Sequence, residues 1–116
     1  MKVAAIDDWI AAVVRAGEPR AVSYYADAEG GDHVPRPDHA ALIRLIGELN
    51  TSDNTFFVAY PDDEDLEWSV AVLTRRGGLG GYDVERLDPV TDQDDTTIAA
   101  DPTTIATDIL NWITQR

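Results

Sequence analysis

Chemistry in this chain would have to come from few residues. There is no cysteine, histidine occurs only at His33 and His39, and serine only at Ser23, Ser52 and Ser69. The two histidines flank Pro35 and Pro37, with Asp32 and Asp38 beside them, a set of donors that zinc or iron accepts. The prolines block a helix between them, so both imidazoles on one helix face is ruled out, and the sequence predicts loop histidines and no metal centre. The run Asp88-Pro-Val-Thr-Asp92-Gln-Asp94-Asp95 has the carboxylate density of a calcium loop. An EF-hand loop begun at Asp92 needs glycine at its sixth place and glutamate at its twelfth, where Thr97 and Thr103 stand. Gly77-Gly78-Leu79-Gly80-Gly81 invites a phosphate-loop reading, but phosphate is cradled at a helix N-terminus. Here the glycines lead into a β-prone segment with no lysine after them. Paired carboxylates (Asp62 with Asp63, Asp94 with Asp95) sit in solvated turns, whereas acid–base catalysis needs pKa values split in a dry cleft. None of the serines has a nucleophile-elbow setting. These residues predict no catalytic group, no metal and no cofactor.

What the chain has in abundance is negative charge. It carries a formal −13 over 116 residues. From Asp62 to Asp101, twelve carboxylates face three arginines, a net of −9. Such a surface repels nucleic acid and anionic membrane and attracts basic surfaces at long range. One lysine against eight arginines fits a GC-rich genome or a salt-adapted host, and in such a host acidity serves solubility. The hydrophobic fraction of 44% is that of a folded domain rather than an acidic tail. No apolar run approaches the length of a membrane span, and Asp7-Asp8 interrupts the N-terminus before a signal-peptide core can form. A single cytoplasmic domain over residues 1–116 is the expectation.

The elements that would position these residues follow from periodicity. Ile6, Trp9, Ile10 and Val13 fall at helical spacing, with Gly17 and Pro19 as a stop. Residues 20–25 read as a strand and 26–37, rich in Gly, Asp and Pro, as a mobile loop. Asp38 is placed to cap a helix whose stripe is Leu42, Leu45, Ile46 and Leu49. Residues 55–60, 67–74 and 82–87 read as strands, the middle one covered on both sides. The segment 96–99 reads as a short edge strand. Asp101 and Pro102 open a last helix with Ile105, Ile109, Trp112 and Ile113 on one face. The expected fold is α+β: an antiparallel meander of four to five strands with about three helices packed on one face.

Three stretches also carry a resemblance. They are His39-Ala-Ala-Leu-Ile-Arg-Leu-Ile-Gly-Glu-Leu, Thr55-Phe-Phe-Val-Ala-Tyr and Gly80-Gly-Tyr-Asp-Val-Glu-Arg-Leu. Together they make the block from Asp38 to Asp88 resemble small immunity proteins of bacterial polymorphic toxin systems. The resemblance implies a non-catalytic inhibitor that occupies the basic cleft of a nuclease or deaminase toxin domain, with no direct contact to nucleic acid or membrane. The acidic contact surface is expected at Asp62, Asp63, Glu64 and Asp65, at Asp83 and Glu85, and at Asp88, Asp92, Asp94 and Asp95. Tyr60 and Tyr82, at strand ends, are the expected aromatic anchors, with Tyr25 a further strand-end tyrosine of the same kind. A DNA-mimic regulator and a secretion-linked adaptor are the competing readings of the same charge.

Overall fold

A strand places successive side chains on opposite faces of its sheet, so strict alternation of burial marks a sheet covered on one side only. The inner strands of this protein alternate in that way. The computed structural model describes residues 22–76 and 79–116. Over these, six strands and two helices follow in the order β1 (Tyr24–Ala28), β2 (His33–Pro35), α1 (His39–Gly47), β3 (Phe56–Pro61), β4 (Ser69–Thr74), β5 (Tyr82–Asp88), β6 (Gln93–Ala99) and α2 (Pro102–Thr114). All strands pair antiparallel in one sheet, ordered β2-β1-β3-β4-β5-β6.

The register decides which residues share a face. Ala26 lies opposite Ala59, Phe57 opposite Val72, and Val72 opposite Val84. With Tyr24 and Val70 they form the buried face of the sheet. Leu42, Leu45 and Ile46 of α1, and Ile105, Ala106, Ile109 and Ile113 of α2, complete one continuous core against it. The two helices also pack on each other. The caps read from the sequence form: Asp38 accepts a hydrogen bond from Ala41 N–H at 2.9 Å, and Asp101 accepts one from Thr104 N–H at 3.1 Å, with Pro102 in the first turn. Between α1 and β3, Asn50 Oδ1 accepts from the N–H groups of Ser52 and Asp53, an Asx turn that follows the Glu48 C-cap.

The class expected from the sequence holds, and its details change. The segment 26–37 is not a loop: Ala26–Ala28 complete β1, and a tight turn leads into β2, paired through Ala26 and Val34. Composition misled here because the turn glycines and acids sit only at 29–32, while Tyr24, Ala26 and Ala28 alternate inward. Tyr24 then fastens the exit from the hairpin, its hydroxyl donating to the Pro37 carbonyl, and burial pushes that phenol above its usual pKa. The edge strand β6 runs seven residues rather than four, taking up Gln93, Asp94 and Asp95 from the expected acidic loop. Strand β4 is central, but among the described residues only its Trp68–Val70–Val72 side is buried, and Ala71 and Leu73 are half-exposed on the other. The N-terminal helix expected at Ile6–Val13 and the start of the strand expected at 20–25 lie outside the described residues, as do Gly77 and Gly78.

The buried face sets a stability expectation. Phe57 is wholly buried at the centre of the sheet, and Phe57→Ala should cost about 3–5 kcal/mol in chemical denaturation.

Candidate functional site

In a meander, alternate turns lie at the same end of the sheet. The β3–β4 turn, with Asp62, Asp63, Glu64 and Asp65, and the β5–β6 turn, with Asp92, therefore share one end. They are separated by the single β4–β5 step of about 4.8 Å. The local chemistry holds each turn without neutralising it. Ser23 Oγ donates to Asp62, and Asp63 Oδ1 accepts from Asp65 N–H at 2.9 Å. Asp92 takes a left-handed backbone, φ 57°, which aspartate tolerates better than most residues.

The open face of the sheet adjoins this end. By register it carries Tyr25 and Asp27 on β1, Tyr60 and Val58 on β3, Asp83, Glu85 and Leu87 on β5, and Asp94, Thr96 and Ile98 on β6. Three large side chains stand exposed there: Tyr60 at 37%, Leu87 at 42% and Ile98 at 63%. An aromatic row crosses the opposite half. Tyr25 stacks at 5.5 Å on Tyr60 and at 5.3 Å on His33, centroid to centroid, and His33 Nδ1 lies 2.6 Å from Asp27 Oδ1. Expected residues Tyr60, Asp83, Glu85 and Asp94 thus share one face with apolar residues that the sequence reading passed over. The signal for Leu87 and Ile98 was present, since each alternates with inward neighbours, but a single apolar residue among acids does not announce an exposed patch.

Three expected contact residues lie elsewhere. Asp95, in register with Arg86, is exposed but directed to the helix side of the sheet. Tyr82 points to the helix-covered face and packs half-buried against the core. Asp88 is buried at 5% exposure. Its Oδ2 accepts from Arg116 Nη1 at 2.5 Å, and its Oδ1 from Val90 N–H at 3.0 Å. It is therefore a fixed internal acceptor and not part of the acidic surface. The Arg116 guanidinium also stacks 3.9 Å over the Trp112 ring, whose Nε1–H donates to Gln93 Oε1 at 2.9 Å. Trp112 in turn meets Trp68 edge-on at 5.8 Å. Two further acids are partly compensated: Asp83 by Arg75 at 3.6 Å, and Asp95 by Arg86 at 3.7 Å. Asp63, Glu64, Asp65, Glu85, Asp92 and Asp94 have no cationic partner among the described residues.

The two histidines are apart. His33 is on the open face, while His39, at the start of α1, bonds through Nε2 to Thr107 Oγ1 and the Thr103 carbonyl of α2. Among the described residues no group of three metal-ligating side chains converges. At the far end of the sheet a cleft of ≈ 850 Å³ is lined by Glu29, Asn50, Thr55, Thr74, Arg75 and Tyr82, among others. Glu29 accepts there from both Thr55 N–H and Thr55 Oγ1–H, at 2.8 and 2.6 Å. These bonds hold its carboxyl below the usual glutamate range, the hydroxyl being the stronger cause. The carboxylate joins the β1–β2 turn to the start of β3. Comparison of the chain with protein-family models, curated proteins and solved structures found no match.

Two outcomes follow from these contacts. Arg116→Ala leaves a buried carboxylate without its partner and should destabilise by about 3–5 kcal/mol, while the apolar pair Asp88→Leu with Arg116→Met should cost markedly less; a double-mutant denaturation cycle reads both. Because the folded-state pKa of Glu29 is depressed, its contribution is full above the ordinary glutamate pKa and is lost as pH falls through the lowered value. Glu29→Gln should therefore flatten the acid limb of a stability–pH curve and leave the alkaline side unchanged in slope.

Proposed function

We propose that this chain is an immunity- or antitoxin-type inhibitor, binding and occluding a basic bacterial toxin domain that acts on nucleic acid. The observation that carries the reading is the junction of the open sheet face with the acidic end. Exposed Tyr60 and Leu87 lie beside carboxylates with no cationic partner among the described residues, Glu85 and Asp94 on the face and Asp63, Glu64, Asp65 and Asp92 at its rim. Exposed Ile98 extends the apolar part of the face toward the other end. Interfaces that bind tightly combine aromatic and apolar anchors with a charged rim. The rim speeds encounter and the anchors slow release. The resemblance of the Asp38–Asp88 block to immunity proteins supports the same reading, and the charge total of −13 suits a partner with a basic cleft.

Affinity purification of the tagged chain from its own host, eluted at low and at high salt and identified by mass spectrometry, tests it. The expected result is one basic toxin-like domain in stoichiometric amount, released by salt. Recovery of a nucleic-acid-binding host regulator would favour DNA mimicry instead, and recovery of nothing at any salt would overturn the inhibitor reading. With the partner in hand, replacing Asp62, Asp63 and Asp65 by Asn and Glu64 by Gln should slow association roughly tenfold or more at low salt and flatten its salt dependence. Tyr60→Ala should instead raise the dissociation rate, weakening binding by about 2 kcal/mol.

A further inference from the structure

The two edges of the sheet are built differently. At one edge, β2 has three residues and ends in Pro35, a short, proline-bearing strand of the kind that discourages further pairing. At the other, β6 runs seven residues in unbroken register with β5, with neither proline nor lysine.

Backbone bonds fix which groups of β6 are free. Thr74 N–H donates to the Thr55 carbonyl at 2.9 Å, so Thr74, Val72 and Val70 turn their backbone groups toward β3. Ladder groups alternate along an antiparallel strand. Leu73, Ala71 and Ser69 therefore bond to Asp83, Glu85 and Leu87, and the intervening Tyr82, Val84, Arg86 and Asp88 bond to Ala99, Thr97, Asp95 and Gln93. Asp94, Thr96 and Ile98 remain, with N–H and C=O directed outward. No described residue hydrogen-bonds to these groups, and residues 94–98 are all exposed.

We propose that β6 is a docking edge that accepts an extended basic strand from a partner protein, extending the sheet by one strand. The occupant is argued from charge. The outward-bonding residues put Asp94, Thr96 and Ile98 on the open face, with Asp92 and Asp95 exposed beside them and Glu85 directly opposite Thr96. An incoming strand therefore meets carboxylates at one end and an apolar side chain at the other. A second copy suits this edge poorly. Antiparallel self-pairing about Thr96 sets Asp94 of one copy against Ile98 of the other, and each copy carries −13. Main-chain bonds supply the affinity in this mode and flanking side chains the selectivity. The proposal rests on the reading that the partner is basic.

The test uses the full isotope-labelled chain and a short capped peptide alternating arginine with valine, beside a control in which glutamate replaces arginine. The expected result is salt-sensitive binding of the arginine peptide alone, with slowed amide exchange at Asp94, Thr96 and Ile98. Thr96→Pro removes an outward donor while sparing the β5–β6 ladder, and should weaken binding roughly tenfold or more. Asp94→Lys, which keeps every backbone donor, should also weaken it and serves if the proline variant fails to fold. Protection appearing elsewhere, equal binding of the glutamate peptide, or a dimer that Thr96→Pro dissolves would each overturn the proposal. A basic host protein captured equally by wild type and Thr96→Pro overturns the docking edge and leaves the inhibitor reading standing. Peptide docking on β6 with no basic protein captured does the reverse.

Discussion

Burial on one side of the sheet governs the described part of this molecule. Phe57, Val70, Val72 and Val84 form a stripe across the three central strands, and α1 and α2 close over it with leucine and isoleucine. Everything directed to the other side is released from the packing requirement, so alternate positions on the same strands can carry tyrosine, aspartate and glutamate. The two classes of residue do not compete, because the pleat separates them. Asp83 and Glu85 flank Val84 in sequence, yet one set points to solvent and the other into the core.

The same separation organises the charge. Arg75, Arg86 and Arg116 all pair with acids on or beside β5 and β6, and the last of these is buried together with Asp88. Of these pairs only Arg116–Asp88 is desolvated enough that each ion needs the other, and it ties the end of α2 to β5; the other two are partly exposed. The β3–β4 turn at the acidic end uses the Ser23 hydroxyl and the Asp65 N–H instead. Its carboxylates stay exposed, gathered at one end of the sheet.

Much of the architecture was legible because it rests on local signals. Asp38 and Asp101 announced both described helices, and alternation announced the strands from residue 55 to 87. The hairpin of β1 and β2 was not legible. Its strands are short, and the acids and glycines of a tight turn dominate the composition of the whole segment. The length of β6 was hidden for a related reason: Asp94 and Asp95 have poor strand propensity and are held there by pairing with Leu87 and Arg86. For the contact surface, charge located the acids but not their direction. Asp88 looks like its neighbours in sequence; register puts it on the helix-covered face with Val84, and Arg116 at the end of α2 pairs with it there. For Tyr82, alternation with Asp83 and Glu85 already set it on the face of Val84, and the register with Thr74 and Ala99 keeps it there. A strand-end position alone was therefore a poor sign of a contact residue.

The position of the hairpin in the strand order has a kinetic consequence. Strands β3 to β6 pair with their sequence neighbours across short turns, whereas β1 reaches β3 only after the hairpin and α1 have been threaded between them. Closing that longer loop carries the greater entropy cost, so the four-strand meander is the part able to assemble first and the hairpin docks late. Until it docks, the β3 edge is open and the Tyr25–Tyr60 stack is unmade. Late docking through one edge is also the arrangement in which two molecules can trade hairpins. The strength of the β1–β3 seam therefore sets how long a newly made chain remains exposed to that exchange.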